Sequence, residues 1–174
     1  EIWASCIDLV REALVKADPE GSELYNRNAE TLRIEYLAIS DWAKTRLAEI
    51  PQGSQKLITS HDAFNYFGRA FGFTVVAVQG ISTASEAGLA DRAAMVDYVK
   101  KHGIKAIFIE SSINPAIIHA IAKDSGARVG GELFSDAMGD PGQMEKGQDG
   151  GEYDAGTWVG MMKHNVNIIT QGLK

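Results

Sequence analysis

Four short polar clusters hold the residues of this chain whose types could do chemistry: Ser60-His61-Asp62, Gln79-Gly80-Ile81-Ser82-Thr83, Glu110-Ser111-Ser112 and Phe134-Ser135-Asp136. Each directly follows an apolar run, and His61 is the sharpest member. A helix expected to open at Asp62 would put His61 at a helix N-terminus, which favours the neutral ring, the form that coordinates a metal. The same dipole repels a bare cation, so an anionic partner is needed, and Asp136 can supply it. The alternative for His61 is a hydrogen-bonded cap, and for Asp136 an ordinary turn residue. Glu86, Glu110 and Glu132 are further carboxylates near these clusters, read as acceptors for loop amides. His102, His119 and His164 read as structural: the first ends a helix, and the others lie within helices on exposed or partly covered faces.

Other site chemistries find little support. Gly130-Gly131 lies inside a strand with no helix opening after it, so neither a phosphate-binding loop nor a dinucleotide fingerprint is present. A Ser60 or Ser135 triad with His61 and Asp136 can be drawn, but no spacing supports it. Cys6 is the one cysteine, which excludes a disulfide framework or a multi-cysteine metal cluster. It reads as a half-buried helical residue, and Trp3, Trp42 and Trp158 read as core or staple residues.

The elements that must position the clusters follow from periodicity. Residues 1–17 have helical three-and-four spacing, broken by Asp18-Pro19-Glu20-Gly21. Ser22 is a candidate N-cap for a second helix running to about Ile50, much longer than the usual globular helix of about 11–12 residues. Such a helix either connects two parts of a protein or packs along one domain. After Pro51 the rhythm becomes strand–helix alternation. Strands are predicted at 56–60, 74–78, 104–109 and 127–133, with helices at 62–71, 85–101, 115–123 and 155–173. This predicts an α/β fold: a four-stranded parallel sheet with helices on both faces, preceded by the long helix. The clusters then share the C-terminal rim of the sheet, where ligands of open parallel sheets bind. The glycine-rich stretch 138–153 reads as a loop of low order.

Composition bounds the function class. The net charge of −6 leaves no basic face for nucleic acid, so no nucleic-acid partner is expected. No stretch approaches the roughly 20 apolar residues of a membrane span. Glu1 is followed at once by an amphipathic pattern, so no signal peptide is expected within these residues.

Leu57-Ile58-Thr59-Ser60-His61-Asp62-Ala63-Phe64 with Tyr66-Phe67 resembles the central motif of the zinc and manganese substrate-binding proteins of ABC importers. Gly80-Ile81-Ser82-Thr83, Ile107 to Ser111, Leu133 to Gly139, and Gly156-Thr157-Trp158 through Lys163-His164-Asn165 are similar in order and spacing. The resemblance extends from about Arg27 onward. It implies two α/β lobes joined by one rigid helix, with a metal held between them by four side chains, two from each lobe. On that basis His61 and Asp136 are metal ligands, Glu110 lies near the site without ligating, and the long helix is the connecting rod.

The resemblance further implies that residues 1–21 are the tail of an N-terminal lobe that this chain lacks and that supplies the remaining ligands. The domains expected are therefore 1–21, the rod at 22–50 and a metal-binding lobe at 51–174. The implied cargo is Zn2+, with Mn2+ the alternative, since histidine stands where manganese-selective relatives often carry glutamate. The partner is an ABC permease, and the location is extracytoplasmic, periplasmic or on a bacterial surface as a lipoprotein. The competing readings are a metal-dependent hydrolase with Glu110 as general base, and a surface adhesin.

Overall fold

The computed structural model describes residues 2–81, 88–147 and 150–174. Contacts divide the chain into two units, 1–45 and 46–174. In the first, α1 (Ile2–Ala17) is followed by a 3-10 turn (Pro19–Gly21) and α2 (Ser22–Leu47), whose last residues enter the second unit. Ser22 is the first helical residue rather than an N-cap, because the 3-10 turn leads directly into the helix. The Tyr25 hydroxyl donates to Asp18 Oδ2 across this corner at 2.7 Å, and Arg33 reaches back to Asp8 on α1 at 2.5 Å. Two expectations fail here: Cys6 and Trp3 are both exposed in this unit. α2 ends at Leu47, earlier than Ile50, and Ile50 N–H closes its last turn on the Leu47 carbonyl.

The second unit begins with the strand β1 (Lys56–Thr59), then α3 (Asn65–Phe71), β2 (Thr74–Ala77), α4 (Leu89–Lys101), β3 (Ala106–Glu110), α5 (Ala116–Ser125) and β4 (Arg128–Leu133). β1 pairs with β2 and β3 with β4, all parallel. β1 also lies beside β3, giving the spatial order β2–β1–β3–β4. The chain therefore winds one way from β1 and the other way from β3, and the reversal falls between those two strands.

Alternation along β3 shows that helices cover both faces. Ile107 joins Ile118, Ile121, Val96 and Val99 of α5 and α4 in one buried cluster. Phe108 points the opposite way, against Gly172 of the final helix, α6 (Trp158–Leu173). A β-bulge between β3 and β4 opposes Phe108 to Gly131 and leaves Gly130 as the extra residue. A Cβ on Gly130 would stand 2.7 Å from the Phe108 ring, so glycine is what admits the bulge there.

The stretch predicted as a low-order loop contains an antiparallel hairpin, β5 (Met144–Lys146) with β6 (Glu152–Asp154). Its base is organised by Asp154, whose carboxylate accepts from the Gly142 and Gly156 amides at 2.9–3.2 Å. α6 then starts at Trp158, not at residue 155, with the Thr157 hydroxyl accepting from Gly160 N–H as its N-cap. Trp42 and Trp158 are half-buried.

Candidate metal site

His61 follows the C-terminal end of β1 and Glu110 is the last residue of β3, so the two flank the point where strand order reverses. Ligands of open parallel sheets bind there, because the diverging connections leave a crevice. The Gln79 N–H to Ser60 carbonyl bond (2.9 Å) continues β1–β2 pairing up to the rim, and Ser111 N–H to Leu133 carbonyl (2.9 Å) does the same for β3–β4. Between β1 and β3 no ladder forms. The Glu110 carboxylate bridges that seam: its Oε1 accepts from His61 N–H at 2.8 Å, and its Oε2 lies 2.7 Å from His61 Nδ1. The second contact is close but poorly directed, and neither atom has a well-aligned hydrogen bond elsewhere.

Glu110 and His61 are each only 2% exposed, so the carboxylate is committed to this histidine. On the other side of the ring, Nε2 faces Asp136 Oδ2 at 2.8 Å. The Asp136 side chain is 64% exposed, which leaves the pair open to solvent on one side. The imidazole is thus held by a buried carboxylate behind and meets an accessible one in front. A carboxylate beside Nδ1 favours a proton on that nitrogen, which leaves Nε2 as the one presented to a cation. The expected helix N-terminus plays no such part, because α3 begins only at Asn65 and has seven residues.

Asp136 has φ 56°, the one non-glycine residue with positive φ among those described. The left-handed region costs an L-residue about 1 kcal/mol or more, and aspartate tolerates it better than most. Such strain persists only where neighbours over-determine it. Here the preceding Ser135 is buried and its hydroxyl meets that of Ser112 at 2.9 Å.

The structure thus joins His61 with Asp136, and it adds Glu110 in contact with the ring. Glu132 is exposed, and His119 and His102 are exposed, with His102 Nδ1 2.9 Å from the Tyr98 carbonyl at a helix end. His164 is more engaged than expected: it bridges the Glu145 carboxylate (2.5 Å) and the Glu132 carbonyl (2.9 Å) and packs at a tilt against the Phe134 ring. Ser82, Thr83 and Glu86 lie outside the described residues. Among the described residues, no group of three or more His, Cys, Asp and Glu side chains is arranged to hold a metal.

The parallel α/β unit thus places a histidine–carboxylate pair at its switch point, where proteins of this architecture bind their ligands. The family described as ZnuA, zinc-uptake complex component A, periplasmic, matches residues 1–172, and the chain belongs to that family. It is similar to the manganese-binding lipoprotein MntA of Bacillus subtilis, 38% identical over 99% of this chain and 55% of that protein. It is also similar to the zinc-binding protein TroA of Treponema pallidum, 34% identical over 99% of this chain and 54% of that one. The solved structure of periplasmic zinc-binding TroA superposes with a TM-score of 0.88 at 34% identity, covering 98% of this chain and 60% of that one. The chain spans about half the length of the curated relatives it matches.

Proposed function

We propose that this chain is the C-terminal part of an extracytoplasmic metal-capture protein, which holds a divalent transition-metal ion and hands it to an ABC permease. The observation that carries the reading is the His61 Nε2 to Asp136 Oδ2 approach of 2.8 Å at the switch point, backed by Glu110. Donors about 2.1 Å from a tetrahedral ion stand about 3.4 Å apart, so opening this pair by about 0.6 Å admits one ion between them. The exposed Asp136 side chain is the partner free to make that movement.

Capture rather than turnover fits the site. A hydrolase would need Glu110 as a base with an oxygen free for water, but both of its oxygens lie against His61. The names of the relatives speak for metal binding and give no support to a hydrolase or an adhesin. They differ in the metal, manganese for one and zinc for the other. We favour Zn2+ on the nitrogen donor of His61, with Mn2+ the alternative.

Two donors do not complete a metal site, and four-coordinate zinc needs two more. We propose that an N-terminal lobe of the complete protein supplies them, that residues 22–50, with α2 (Ser22–Leu47) as their helix, are the connector, that 1–21 belong with that lobe, and that 51–174 form the metal-binding lobe. The relatives' roughly twofold greater length supports this, as do the exposed apolar side chains of α1, among them Ile2, Leu9 and Val10. The terms "lipoprotein" and "periplasmic" in the relatives' names support a location at the cell surface or in the periplasm.

The test is chelator-competition titration of Zn2+ and Mn2+ into the full chain and its His61→Ala and Asp136→Ala variants. The reading expects one weak site per chain, lost in both variants. One-to-one binding that survives His61→Ala would sink the assignment.

A further inference from the structure

Asp136 reaches His61 from a backbone that has already left the sheet. β4 pairs only with β3 among the described residues, and the last bond of that pairing is to the Leu133 carbonyl. The next residue, Phe134, has no strand paired with it among the described residues. Its N–H donates to Asn165 Oδ1 at 2.9 Å, and its carbonyl accepts from Asn165 Nδ2 at 2.8 Å. One side-chain amide therefore serves both backbone groups of one residue, as the peptide of a neighbouring strand would. The two partners also fix which end of the carboxamide is oxygen. Asn165 is 3% exposed, and it is carried by α6, which packs against β4.

We propose that Asn165 is a positioning residue for Asp136, its carboxamide standing in for an absent strand and fixing the backbone that delivers the carboxylate to His61. Phe134 is two residues from Asp136. Between them Ser135 is held by Ser112, so the left-handed turn at Asp136 starts from a clamped segment. Without the clamp, Phe134 N–H and C=O lose their partners, and the unfavourable φ of Asp136 is free to relax. The carboxylate then departs from Nε2, while the Glu110 contact behind the ring is unaffected. The consequence for ion binding rests on the metal-capture reading, whereas the geometric claim does not.

The experiment uses the full chain and Asn165→Ala, with Asn167→Ala as the control. Asn167 lies on the same helix at 5% exposure, and its side-chain oxygen accepts from Arg46 instead. Without metal, the His61 imidazole nitrogens are followed by proton–nitrogen NMR. Asn165→Ala is expected to shift the Nε2 signal, and Asn167→Ala to leave it in place even at an equal loss in melting temperature. With Zn2+ alone as probe, Asn165→Ala is expected to lower affinity about tenfold or more, as supporting residues around metal ligands do. On an Asp136→Ala background the same change is expected to cost nothing further.

An unmoved Nε2 signal, or an equal loss of affinity on both backgrounds, overturns the proposal. Should Asn165→Ala not fold, Asn165→Asp replaces it; that variant keeps an oxygen for Phe134 N–H but removes the donor to Phe134 C=O, and the same shift is expected. If Asp136→Ala leaves Zn2+ binding intact, the metal reading fails, and the Nε2 signal alone decides for or against the role of Asn165.

Discussion

Glu110 and Asp136 are both carboxylates on the same imidazole, yet their surroundings assign them different work. Glu110 is enclosed, with both oxygens on His61; Asp136 is largely open and touches the other ring nitrogen, Nε2. Removing Asp136 takes away a donor, while removing Glu110 leaves both donors and loosens the ring. Asp136→Ala is therefore expected to weaken Zn2+ binding more than Glu110→Gln, for which about a tenfold loss is expected. Titration of both variants checks the order, and equal losses would argue against it. The positions of His61 and Asp136 could be anticipated because polar residues after apolar strands share a rim. The grip of Glu110 could not, since it joins residues 49 apart across a seam that carries no ladder. The Asn165 clamp was equally hidden: a polar residue in a helix gives no sign of which backbone it will serve.

Among the elements, apolar periodicity revealed those with a buried face and missed those without one. β1 and β3 are almost wholly buried, and their β-branched and aromatic runs announce them. β5 and β6 are three residues each, with Glu145, Lys146 and Glu152 among them, so no alternation marks the hairpin. Side-chain acceptors hold its base, above all Asp154, together with the Glu145–His164 contact. The junction between β6 and α6 is correspondingly tight: a Cβ on Gly160 would lie 1.8 Å from the Asp154 carbonyl oxygen, a backbone atom that cannot swing aside. Gly160→Ala is expected to destabilise the protein by about 2 kcal/mol or more, as overpacking against fixed atoms does. Gly142, with φ 80° and open space for a Cβ, is expected to cost only about 1 kcal/mol as alanine. Urea denaturation of the two variants compares them, and a milder effect at Gly160 would show that the junction has room to shift.

At the scale of the molecule, the beginning and end of the second unit are tied by charge. Glu49, just past α2, pairs with Lys174 at the chain's last position and with Arg46, whose Nε donates to Asn167 of α6 at 3.1 Å. The Lys174 ammonium first, and the Arg46 guanidinium second, draw the Glu49 carboxyl below the usual carboxylate range, against a smaller opposing effect of burial. The folded protein thus binds this proton less readily than the unfolded chain. The stabilisation is complete above the ordinary glutamate range and fades as pH falls through the lowered value. The group is exposed and its pairs are screened, so the effect is expected to be small and to shrink in high salt. Glu49→Gln removes the titrating group, and its stability is expected to fall less steeply in acid than that of the parent chain. Denaturant midpoints measured from neutral pH down through the carboxylate range, at low and at high salt, test this. Parallel curves for parent and variant would mean that Glu49 contributes nothing to the acid limb and that the tie between Lys174 and the end of α2 is not electrostatic.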